Sequence, residues 1–535
     1  MPGLSRSRPM GGSMFDFSSI HSLADITREQ RRLRPAATAQ IFEDRRTSFA
    51  ELDEAASRIA NALLSLNLPP GARLAYLGKN SDRYFELLFG AFKAGNVVVS
   101  VNWRLALPEL VYIFNDAQCE ALFVGAEYHA LVPELLAACP RLRSVVAMDG
   151  EGAPWPAFTH WRDAAPSEDC HLPVDPDAEV MLLYTSGTTG APKGVQITTA
   201  NYLAFFRAAE LAQWGDIQAG EVNLACMPVF HVAGVNMGII SIAQGASVVV
   251  MKEVDPAKIL DFIPLYGINN AFFVPAVILF MLQHPRAATT DFRCLRRLYY
   301  GASPIAEDLL LKAREIFGCQ FFQLYGLTET VGAATYLPDA AHAPERGKLR
   351  SCGVPYPGID IRVIDEAGNA LPPAAVGEVV IRSGVVMKGY WGAPAATAEA
   401  IVDGWFHTGD AGYFDTDGYL YIHDRLKDMI VSGGENIYPA EVENALFGHP
   451  AVADVAVIGV PDAQWGEAVK AIVVLKPEAQ LSPEDLIAYA RTRIAAYKTP
   501  KSVDFIAALP RNPSGKVLRR ELREPYWQGH SRRVN

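Results

Sequence analysis

Residues 184–194 read Tyr184-Thr185-Ser186-Gly187-Thr188-Thr189-Gly190-Ala191-Pro192-Lys193-Gly194, a stretch rich in the residue types that bind phosphate. Its three glycines let backbone N–H groups approach phosphate oxygens without a clash from Cβ. Its four Ser and Thr hydroxyls can donate to those oxygens or bind a metal ion, and Lys193 adds a mobile positive charge. The stretch therefore predicts a site for a nucleoside triphosphate.

The flanking residues show which kind of phosphate loop this is. Residues 181–184 predict an apolar strand before the loop, residues 195–198 predict a second strand, and a helix is predicted from Thr199. A Walker A loop would end in Gly-Lys-Ser/Thr and lead directly into a helix, whereas Lys193 is followed here by Gly194. The pattern therefore argues against a P-loop kinase or ATPase. A flexible linker is also disfavoured, because it would not need apolar strands on both sides.

The composition fits a large enzyme. The chain has 535 residues, 50% of them hydrophobic, which is too long for one core. Its net charge of −11 gives no general attraction to nucleic acid or anionic lipid. The seven cysteines are far apart and show no zinc spacing, so we expect reduced thiols in a cytoplasmic protein. The longest apolar stretch, residues 271–282, is too short for a transmembrane helix.

Predicted strands and helices alternate along the chain. Apolar segments at 73–77, 97–101 and 246–250 alternate with helical patterns at 49–66 and 81–94. This order predicts an α/β fold with largely buried strands.

The tail of the chain predicts a separate, smaller domain. A charged run at 424–428 follows a predicted strand at 419–422 and precedes about 110 residues, enough for a small domain. We therefore expect a large N-terminal α/β domain with several subdomains and a small mobile α+β C-terminal domain. The tail predicts helix, strand, strand and helix at 440–447, 452–460, 468–475 and 483–495. The expected divisions are a disordered leader at 1–13, an N-terminal domain at 14–424, a hinge at 425–428 and a C-terminal lid domain at 429–535.

Six further motifs follow the loop in order. They are Tyr-Tyr-Gly-Ala-Ser (299–303), Gln-Leu-Tyr-Gly-Leu-Thr-Glu-Thr (323–330), Trp-Phe-His-Thr-Gly-Asp (405–410), Asp-Arg-Leu-Lys-Asp-Met-Ile (424–430), Ser-Gly-Gly-Glu-Asn (432–436) and Pro-Arg-Asn-Pro-Ser-Gly-Lys (510–516). With the loop, they resemble the signatures of the adenylate-forming (AMP-binding) superfamily, which includes acyl-CoA synthetases, luciferases and peptide-synthetase adenylation domains. Residues 419–441 are most similar to bacterial fatty-acid-CoA ligases. The resemblance spans nearly the whole chain and implies an ATP-dependent acyl-CoA synthetase that forms acyl-AMP, releases pyrophosphate and then makes acyl-CoA.

The resemblance also implies roles in ATP binding. Tyr325 would stack on adenine, Thr328 would donate to the α-phosphate, and Asp410 would accept from the ribose hydroxyls. Arg425 would make a second ribose or phosphate contact. Lys516 would be the adenylation lysine that bridges carboxylate and ATP oxygens. The implied ATP-binding residues are Thr185, Ser186, Gly187, Thr188, Thr189, Gly190, Lys193, Gly301, Ala302, Ser303, Leu324, Tyr325, Gly326, Thr328, Asp410, Arg425 and Lys516.

Adenylation brings two anions together, so cations and preorganised donors are the main catalytic requirement. The resemblance implies Glu329 as the Mg²⁺ ligand, with Thr185 as a second contributor, and both supply the hard oxygens that Mg²⁺ prefers. His231 corresponds to an aromatic gate beside the acyl carboxylate. Amino-acid-activating domains typically carry Asp at that position, so His231 argues against an amino-acid substrate. The implied catalytic residues are Lys516, Glu329, Thr328 and His231.

For the second half-reaction, the resemblance implies that Ser432, Gly433 and Gly434 line the pantetheine tunnel of CoA. The hinge would lie at Lys427. Asp424 replaces the Gly that often precedes the Arg in this family, which is a departure from the family pattern.

The candidate acyl pocket has wall segments of small and apolar residues, at 232–238, 299–305 and 331–335. Its expected residues are His231, Ala233, Gly234, Val331, Gly332 and Ala333. The absence of Lys and Arg from the wall segments disfavours a dicarboxylate, so a medium- or long-chain fatty acid is the first expectation. A phenylpropenoic acid of the feruloyl or coumaroyl type is the alternative.

Two other functional classes stay open. One is an acyl-AMP ligase that delivers its product to a carrier protein. The other is an inactive ligand-binding relative, which is disfavoured because Lys516, Glu329 and Asp410 are all present. We expect the partners to be a small carboxylic acid, ATP and CoA, with no nucleic acid and no transmembrane segment. Peripheral membrane contact, and either a monomer or a homodimer, are compatible with the sequence.

Overall fold

The computed structural model describes residues 17–149, 154–185, 192–212, 217–425, 428–432, 435–462, 465–512 and 515–528, with residues 424, 425, 435 and 436 described by their backbone alone. Within these ranges the chain forms a large N-terminal α/β domain and a smaller C-terminal domain, as the sequence predicts. No helix in this part of the chain is both long enough and apolar enough to span a membrane.

The largest sheet carries most of the site. Its nine described strands lie in the order β15 (Val354–Pro355), β14 (Thr335–Leu337), β13 (Gln320–Tyr325), β12 (Arg297–Gly301), β11 (Asn270–Phe273), β9 (Val222–Ala225), β10 (Ser247–Val250), β1 (Thr38–Phe42) and β2 (Arg45–Ser48). The strands from β13 to β1 are parallel. The turns after β12 and β13 therefore lie at the same edge of the sheet, where α/β proteins bind ligands.

A second sheet carries the phosphate loop. Its order is β18 (Gly389–Tyr390), β8 (Lys193–Thr198), β7 (Glu179–Thr185), β4 (Val97–Ser100), β3 (Arg73–Leu77), β5 (Cys119–Val124) and β6 (Ser144–Ala147). Strands β7 and β8 are antiparallel, and Thr185 pairs with Lys193 at the base of the loop. The two predicted strands that flank the loop are therefore confirmed.

A third sheet forms the last part of the N-terminal domain in sequence. Its strands β16 (Asp360–Ile364), β17 (Gly377–Arg382), β20 (Trp405–Phe414) and β19 (Ile401–Val402) are joined by β21 (Leu420–Arg425), which pairs with β20. Asp410 lies within β20, opposite Arg425 in the backbone register.

Helices cover both large sheets. The N-terminal domain contains α1 (Asp25–Leu33), α2 (Phe49–Ser65), α3 (Asp82–Ala94), α4 (Leu107–Asp116), α5 (Val132–Ala138), α6 (Phe158–Asp163), α7 (Thr199–Ala212), α8 (Val232–Ala243), α9 (Pro256–Tyr266), α10 (Pro275–Gln283), α11 (Glu307–Phe317) and α12 (Pro394–Ala400). Their ends follow local chemistry. Ser48 and Glu51 form a reciprocal capping box at the start of α2, and Gly95 ends α3 with a left-handed φ of 70°.

The C-terminal domain has its own sheet and core. Strands β23 (Glu435–Ile437), β22 (Ile430–Ser432), β25 (Gly466–Leu475) and β24 (Val452–Asp462) pair in that order, and β26 (Ser502–Phe505) pairs with β25. Its helices are α13 (Pro439–Phe447), α14 (Pro483–Arg491) and α15 (Arg519–Trp527). The predicted order of helix, strand, strand and helix is confirmed, but α14 ends four residues before the predicted end at 495. The Thr492 hydroxyl donates to the Tyr489 carbonyl at 2.7 Å, a local bond that competes with helix continuation.

Candidate active site

A crevice between the two domains brings together seven of the seventeen residues that the sequence assigns to ATP. It encloses about 1050 Å³ of space, including its open mouth. The predicted residues that line it are Ala302, Ser303, Leu324, Tyr325, Gly326, Asp410 and Lys516. These residues come from positions more than two hundred apart in sequence, so the fold itself assembles the predicted site.

Close contact between β12 and β13 shapes the floor of this crevice. A Cβ on Gly301 would lie 2.1 Å from the Leu324 carbonyl oxygen, and a Cβ on Gly326 would lie 2.3 Å from the Gly332 carbonyl carbon. Only glycine fits at these two positions, because neither neighbour is a movable side-chain tip. Gly301 is buried. The lack of side chains at these two positions therefore lets the backbone segments after both strands pack closely together.

Asp410 also lines the crevice and is held in place by hydrogen bonds. It is 5% exposed, and its Oδ2 accepts a hydrogen bond of 2.6 Å from the Tyr325 hydroxyl. Its backbone N–H donates to the Thr408 hydroxyl at 3.0 Å, and that hydroxyl donates to the Val379 carbonyl. The carboxylate is thus fixed at the edge of the crevice.

Lys516 reaches the crevice from a turn of the C-terminal domain. The Asn512 N–H donates to the Lys516 carbonyl and the Gly515 N–H donates to the Asn512 carbonyl, both at 2.8 Å. The Arg511 guanidinium donates to the Gly515 carbonyl at 2.7 Å and pairs with Asp454. The backbone of Lys516 is therefore held by these hydrogen bonds, and the residue lines the crevice.

The predicted metal ligand lies beside the base of the phosphate loop. Glu329 is 8% exposed and belongs to a single 3₁₀ turn, residues 328–330, that begins at Thr328. Its Oε1 accepts a hydrogen bond of 3.0 Å from the Tyr390 hydroxyl. The Lys193 ammonium lies 5.0 Å from the centroid of the Tyr390 ring. Thr185 pairs with Lys193 in the sheet. The two predicted magnesium ligands, Glu329 and Thr185, are thus connected through Tyr390 and Lys193.

These donors suit Mg²⁺. A nearly buried carboxylate with one hydrogen bond keeps lone pairs for a cation, and Mg²⁺ is commonly held by one or two carboxylates together with substrate phosphates. Among the described residues, no group of three or more His, Cys, Asp or Glu side chains forms a metal-binding cluster.

A second cavity adjoins the first. It encloses about 710 Å³ including its mouth, and its lining is almost entirely apolar. The lining residues are Phe205, Ile217, Val232, Ala233, Asn236, Met237, Ile240, Phe272, Tyr299, Ala302, Leu324, Gly326, Gly332 and Tyr356. Three of them, Ala302, Leu324 and Gly326, also line the crevice that contains Lys516.

Of the six residues expected for the acyl pocket, the structure places two, Ala233 and Gly332, on the wall of this second cavity. Gly234, Val331 and Ala333 are buried and do not line it. A Cβ on Gly234 would lie 2.1 Å from the Pro228 carbonyl oxygen, so this glycine serves the packing of the turn before α8.

His231 precedes α8, and it does not line the second cavity. Its Nε2 is buried without a hydrogen-bond partner, and its ring lies 4.6 Å from the Phe230 ring centroid. Burial, with a smaller contribution from the positive charge of Arg104, lowers the pKa of His231 to about 4. The imidazole is therefore neutral at physiological pH.

Several predicted residues lie outside the described part of the chain, so the structure adds nothing about them. They are Ser186, Gly187, Thr188, Thr189, Gly190, Lys427, Gly433 and Gly434, together with the side chain of Arg425. Ser432 ends β22 and pairs with Glu435 and Gly466 in the C-terminal sheet.

Three side chains illustrate what sequence reasoning missed at the site. Tyr390 contacts both Glu329 and Lys193, and Asn444 and Arg519 line the crevice from the C-terminal domain. The Asn444 side-chain oxygen also accepts from the Glu307 N–H of the N-terminal domain at 3.2 Å. The Gly-Tyr-Trp run at 389–391 was an available signal for Tyr390. The sequence carries no comparable signal for Asn444, since its role depends on how the two domains meet.

Comparison with known proteins agrees with this arrangement. The AMP-binding enzyme family matches residues 27–391, and the AMP-binding enzyme C-terminal domain matches residues 441–516. The chain is 43% identical to the fatty acid–[acyl-carrier-protein] ligase ScoC of Streptomyces coeruleorubidus, over 96% of this chain and 98% of that protein. It is 40% identical to a feruloyl-CoA synthase of an Amycolatopsis species, over 92% and 97% of the two chains.

A solved structure shares the whole architecture. The anthranilate CoA ligase AuaEII, crystallised in complex with anthranoyl-AMP, superposes with a TM-score of 0.88 at 26% identity, covering 95% of this chain and 97% of that one. The chain therefore belongs to the AMP-binding enzyme family and is an AMP-forming acid–thiol ligase.

Proposed function

We propose that the protein activates a fatty acid as its acyl-adenylate and transfers the acyl group to CoA. The observation that carries this proposal is the shared wall of the two cavities, formed by Ala302, Leu324 and Gly326. An acid whose tail fills the apolar cavity would present its carboxylate at this wall. ATP in the crevice would present its α-phosphate to the same place.

In the first half-reaction, a carboxylate oxygen attacks the α-phosphorus and the bond to the β-phosphate oxygen breaks, so that pyrophosphate leaves. Lys516, which lines the crevice, would contact both anions and offset their repulsion, and Thr328 would donate to the α-phosphate. Tyr325 and the wall after β12 would hold adenine, and Asp410 would accept from the ribose hydroxyls. Lys193 and the loop before it would bind the β- and γ-phosphates.

Glu329 and Thr185 would hold Mg²⁺. When bound, Mg²⁺ supplies positive charge that neutralises the phosphates of ATP and of departing pyrophosphate. Tyr390 and the 3₁₀ turn at Thr328 hold the carboxylate in place for this role.

The chemistry of the apolar cavity favours a fatty acid. None of its lining residues is charged, and its amide, Asn236, is already bonded to the Tyr202 hydroxyl and the Val331 carbonyl. Each buried methylene of a ligand gains about 0.8 kcal/mol, so an alkyl tail would be stabilised by contact with this apolar lining. The neutral imidazole of His231 fits an acid with no ammonium group.

A phenylpropenoic acid is the second candidate substrate. The feruloyl-CoA synthase of 40% identity supports it, as do the aromatic rings of Phe205, Phe272, Tyr299 and Tyr356 in the cavity lining, which could stack on an aryl group.

We further infer that the C-terminal domain, residues 429–535, rotates about a hinge at 425–428 that includes Lys427. Ser432, Gly433 and Gly434 would then line the pantetheine tunnel, where the thiolate attacks the acyl carbon and AMP leaves. A carrier protein carries the same pantetheine arm as CoA. The relative of 43% identity, a fatty acid–[acyl-carrier-protein] ligase, makes a carrier protein the second candidate acceptor.

One assay tests these assignments. Pyrophosphate release is measured with ATP, Mg²⁺ and a panel of acids that includes C6 to C16 fatty acids, ferulate and an amino acid. Each acid is tested alone, with CoA and with a phosphopantetheinylated carrier protein. We expect release with fatty acids and thioester formation with CoA. Thioester formation on the carrier protein and not on CoA would show that the carrier protein is the acceptor. Pyrophosphate release with ferulate and not with fatty acids would show that the substrate is a phenylpropenoic acid. No acid-dependent release would contradict the proposal.

A further inference from the structure

We propose that Tyr390 is a positioning residue that holds the carboxylate of Glu329 apart from the ammonium of Lys193 and aims both at the triphosphate of ATP. The proposal rests on the function proposed above. It assigns a role to a side chain outside every motif that the sequence analysis used.

The backbone of Tyr390 is fixed at the edge of the sheet that carries the phosphate loop. Tyr390 pairs with Val195 in the β18–β8 register, and its N–H donates to the Thr397 hydroxyl at 2.9 Å. The next N–H, of Trp391, donates to the Gly194 carbonyl at 2.8 Å. Tyr390 is thus attached directly to the strand in which the phosphate loop ends.

The side chain of Tyr390 makes two different polar contacts. Its hydroxyl donates to Oε1 of Glu329 at 3.0 Å, and its ring faces the Lys193 ammonium at 5.0 Å from the ring centroid. The Met387 N–H also donates to the Glu329 backbone carbonyl at 2.8 Å. Both the backbone and the side chain of Glu329 are therefore held by the segment that contains Tyr390.

These contacts oppose a direct ion pair between Glu329 and Lys193. A carboxylate and an ammonium that contact the same tyrosine attract each other, and a direct ion pair between them would occupy the groups needed for Mg²⁺ and phosphate. The hydroxyl satisfies one lone pair of the carboxylate and leaves the others free for a cation. The negative face of the ring stabilises the ammonium without using its three N–H donors. One side chain thus preorganises a metal ligand and a phosphate ligand before ATP arrives.

Two substitutions separate the two contacts. Tyr390→Phe removes the hydroxyl and keeps the ring, whereas Tyr390→Leu removes both. Tyr526→Phe is the matched control, because it removes another tyrosine hydroxyl that donates to a carboxylate, that of Asp504 in the C-terminal domain. The full-length proteins are compared without acid or CoA. Calorimetry measures ATP binding in EDTA, and electron paramagnetic resonance measures Mn²⁺ binding to the enzyme–ATP complex.

For Tyr390→Phe, we expect Mn²⁺ affinity in the ATP complex to fall roughly tenfold or more, as for other partners of metal ligands, while metal-free ATP affinity changes less than about twofold. For Tyr390→Leu, we expect both affinities to fall. Tyr526→Phe should keep both.

The proposal is overturned if Tyr390→Phe keeps the Mn²⁺ affinity, if it weakens both affinities by the same factor, or if Tyr526→Phe has the same effect. Because the assay contains no acid, a missing acid-dependent activity would refute the proposed function without changing this result. If the ATP affinity of the wild-type protein does not depend on the metal ion, both the magnesium assignment and the role of Tyr390 are overturned.

Discussion

The Tyr325 hydroxyl lies 2.6 Å from Oδ2 of Asp410 and donates a hydrogen bond to it. This bond joins the end of β13 to the middle of β20, across 85 residues of sequence. The residue proposed to stack on adenine and the residue proposed to bind ribose are therefore one unit. A substitution at either residue should therefore change the contribution of the other to ATP binding.

We predict that Tyr325→Phe and Asp410→Asn are not additive. Asp410→Asn should raise the KM for ATP at least roughly tenfold, because a charged acceptor for the ribose hydroxyls is lost. Tyr325→Phe should raise it only a few fold, because the ring is kept. Steady-state kinetics of the double mutant should show a coupling of about 1 kcal/mol. Purely additive effects would mean that the hydrogen bond does not position Asp410.

The parts of the fold set by local pattern could be predicted from the sequence. The strands beside the phosphate loop and the helices at 49–65 and 82–94 follow from apolar periodicity and from caps such as Ser48 with Glu51. Strand β20 could not be predicted, because Gly409, Asp410 and Gly412 have low strand propensity. That strand forms because β17 and β21 pair with it on both sides.

The same limit applies to the site. The residues proposed to bind ATP occur in short motifs whose order is visible in the sequence, and seven of them meet in one crevice. The apolar cavity is instead built partly from single residues such as Phe205, Phe272 and Tyr356, which come from three separate parts of the chain and lie outside the predicted wall segments. Packing alone brings these residues together. Of the six residues expected for the acyl pocket, only Ala233 and Gly332 lie on its wall. The assigned roles and the domain boundaries stay predictions.

We predict that the size of the apolar cavity sets the chain-length preference. Ala233→Leu should fill part of it and lower kcat/KM for a C12 acid relative to a C6 acid by roughly tenfold, the effect of displacing one or two methylenes. Met237→Ala should enlarge it and shift the same ratio the other way. Competition between the two acids in one reaction gives the ratio directly, so general damage to the enzyme cancels. A ratio unchanged in both variants would place the acyl tail elsewhere.

A third prediction concerns His231, whose pKa is lowered to about 4 by burial. Between pH 6.5 and 4 the unfolded chain binds a proton at this histidine and the folded protein does not, so stability falls as pH falls through this window. In His231→Phe, the apparent melting temperature should therefore drop less between pH 7 and 5 than in the wild type. His342, whose pKa is also lowered to about 4, should contribute in the same direction.

The activity of His231→Phe tests whether the neutral imidazole takes part in proton transfer. Because the imidazole is neutral from pH 6 to 8, it cannot act there as a titrating acid or base, and the shape of the pH–rate profile for pyrophosphate release should be unchanged. Loss of a titration step near neutral pH in the variant would contradict a purely aromatic role for this side chain.

The last prediction separates the two half-reactions through Lys516. Lys516→Ala removes the positive charge between the carboxylate and the α-phosphate, so adenylation should slow at least roughly a hundredfold, comparable to the loss of an oxyanion donor. Thioester formation from supplied acyl-adenylate and CoA should be nearly normal, because the acyl–phosphate bond already exists. Lys501→Ala, which removes an exposed lysine of the same domain, is the control and should leave both rates unchanged. Rapid-quench measurement of each step decides the matter, and equal damage to both would remove Lys516 from the adenylation step.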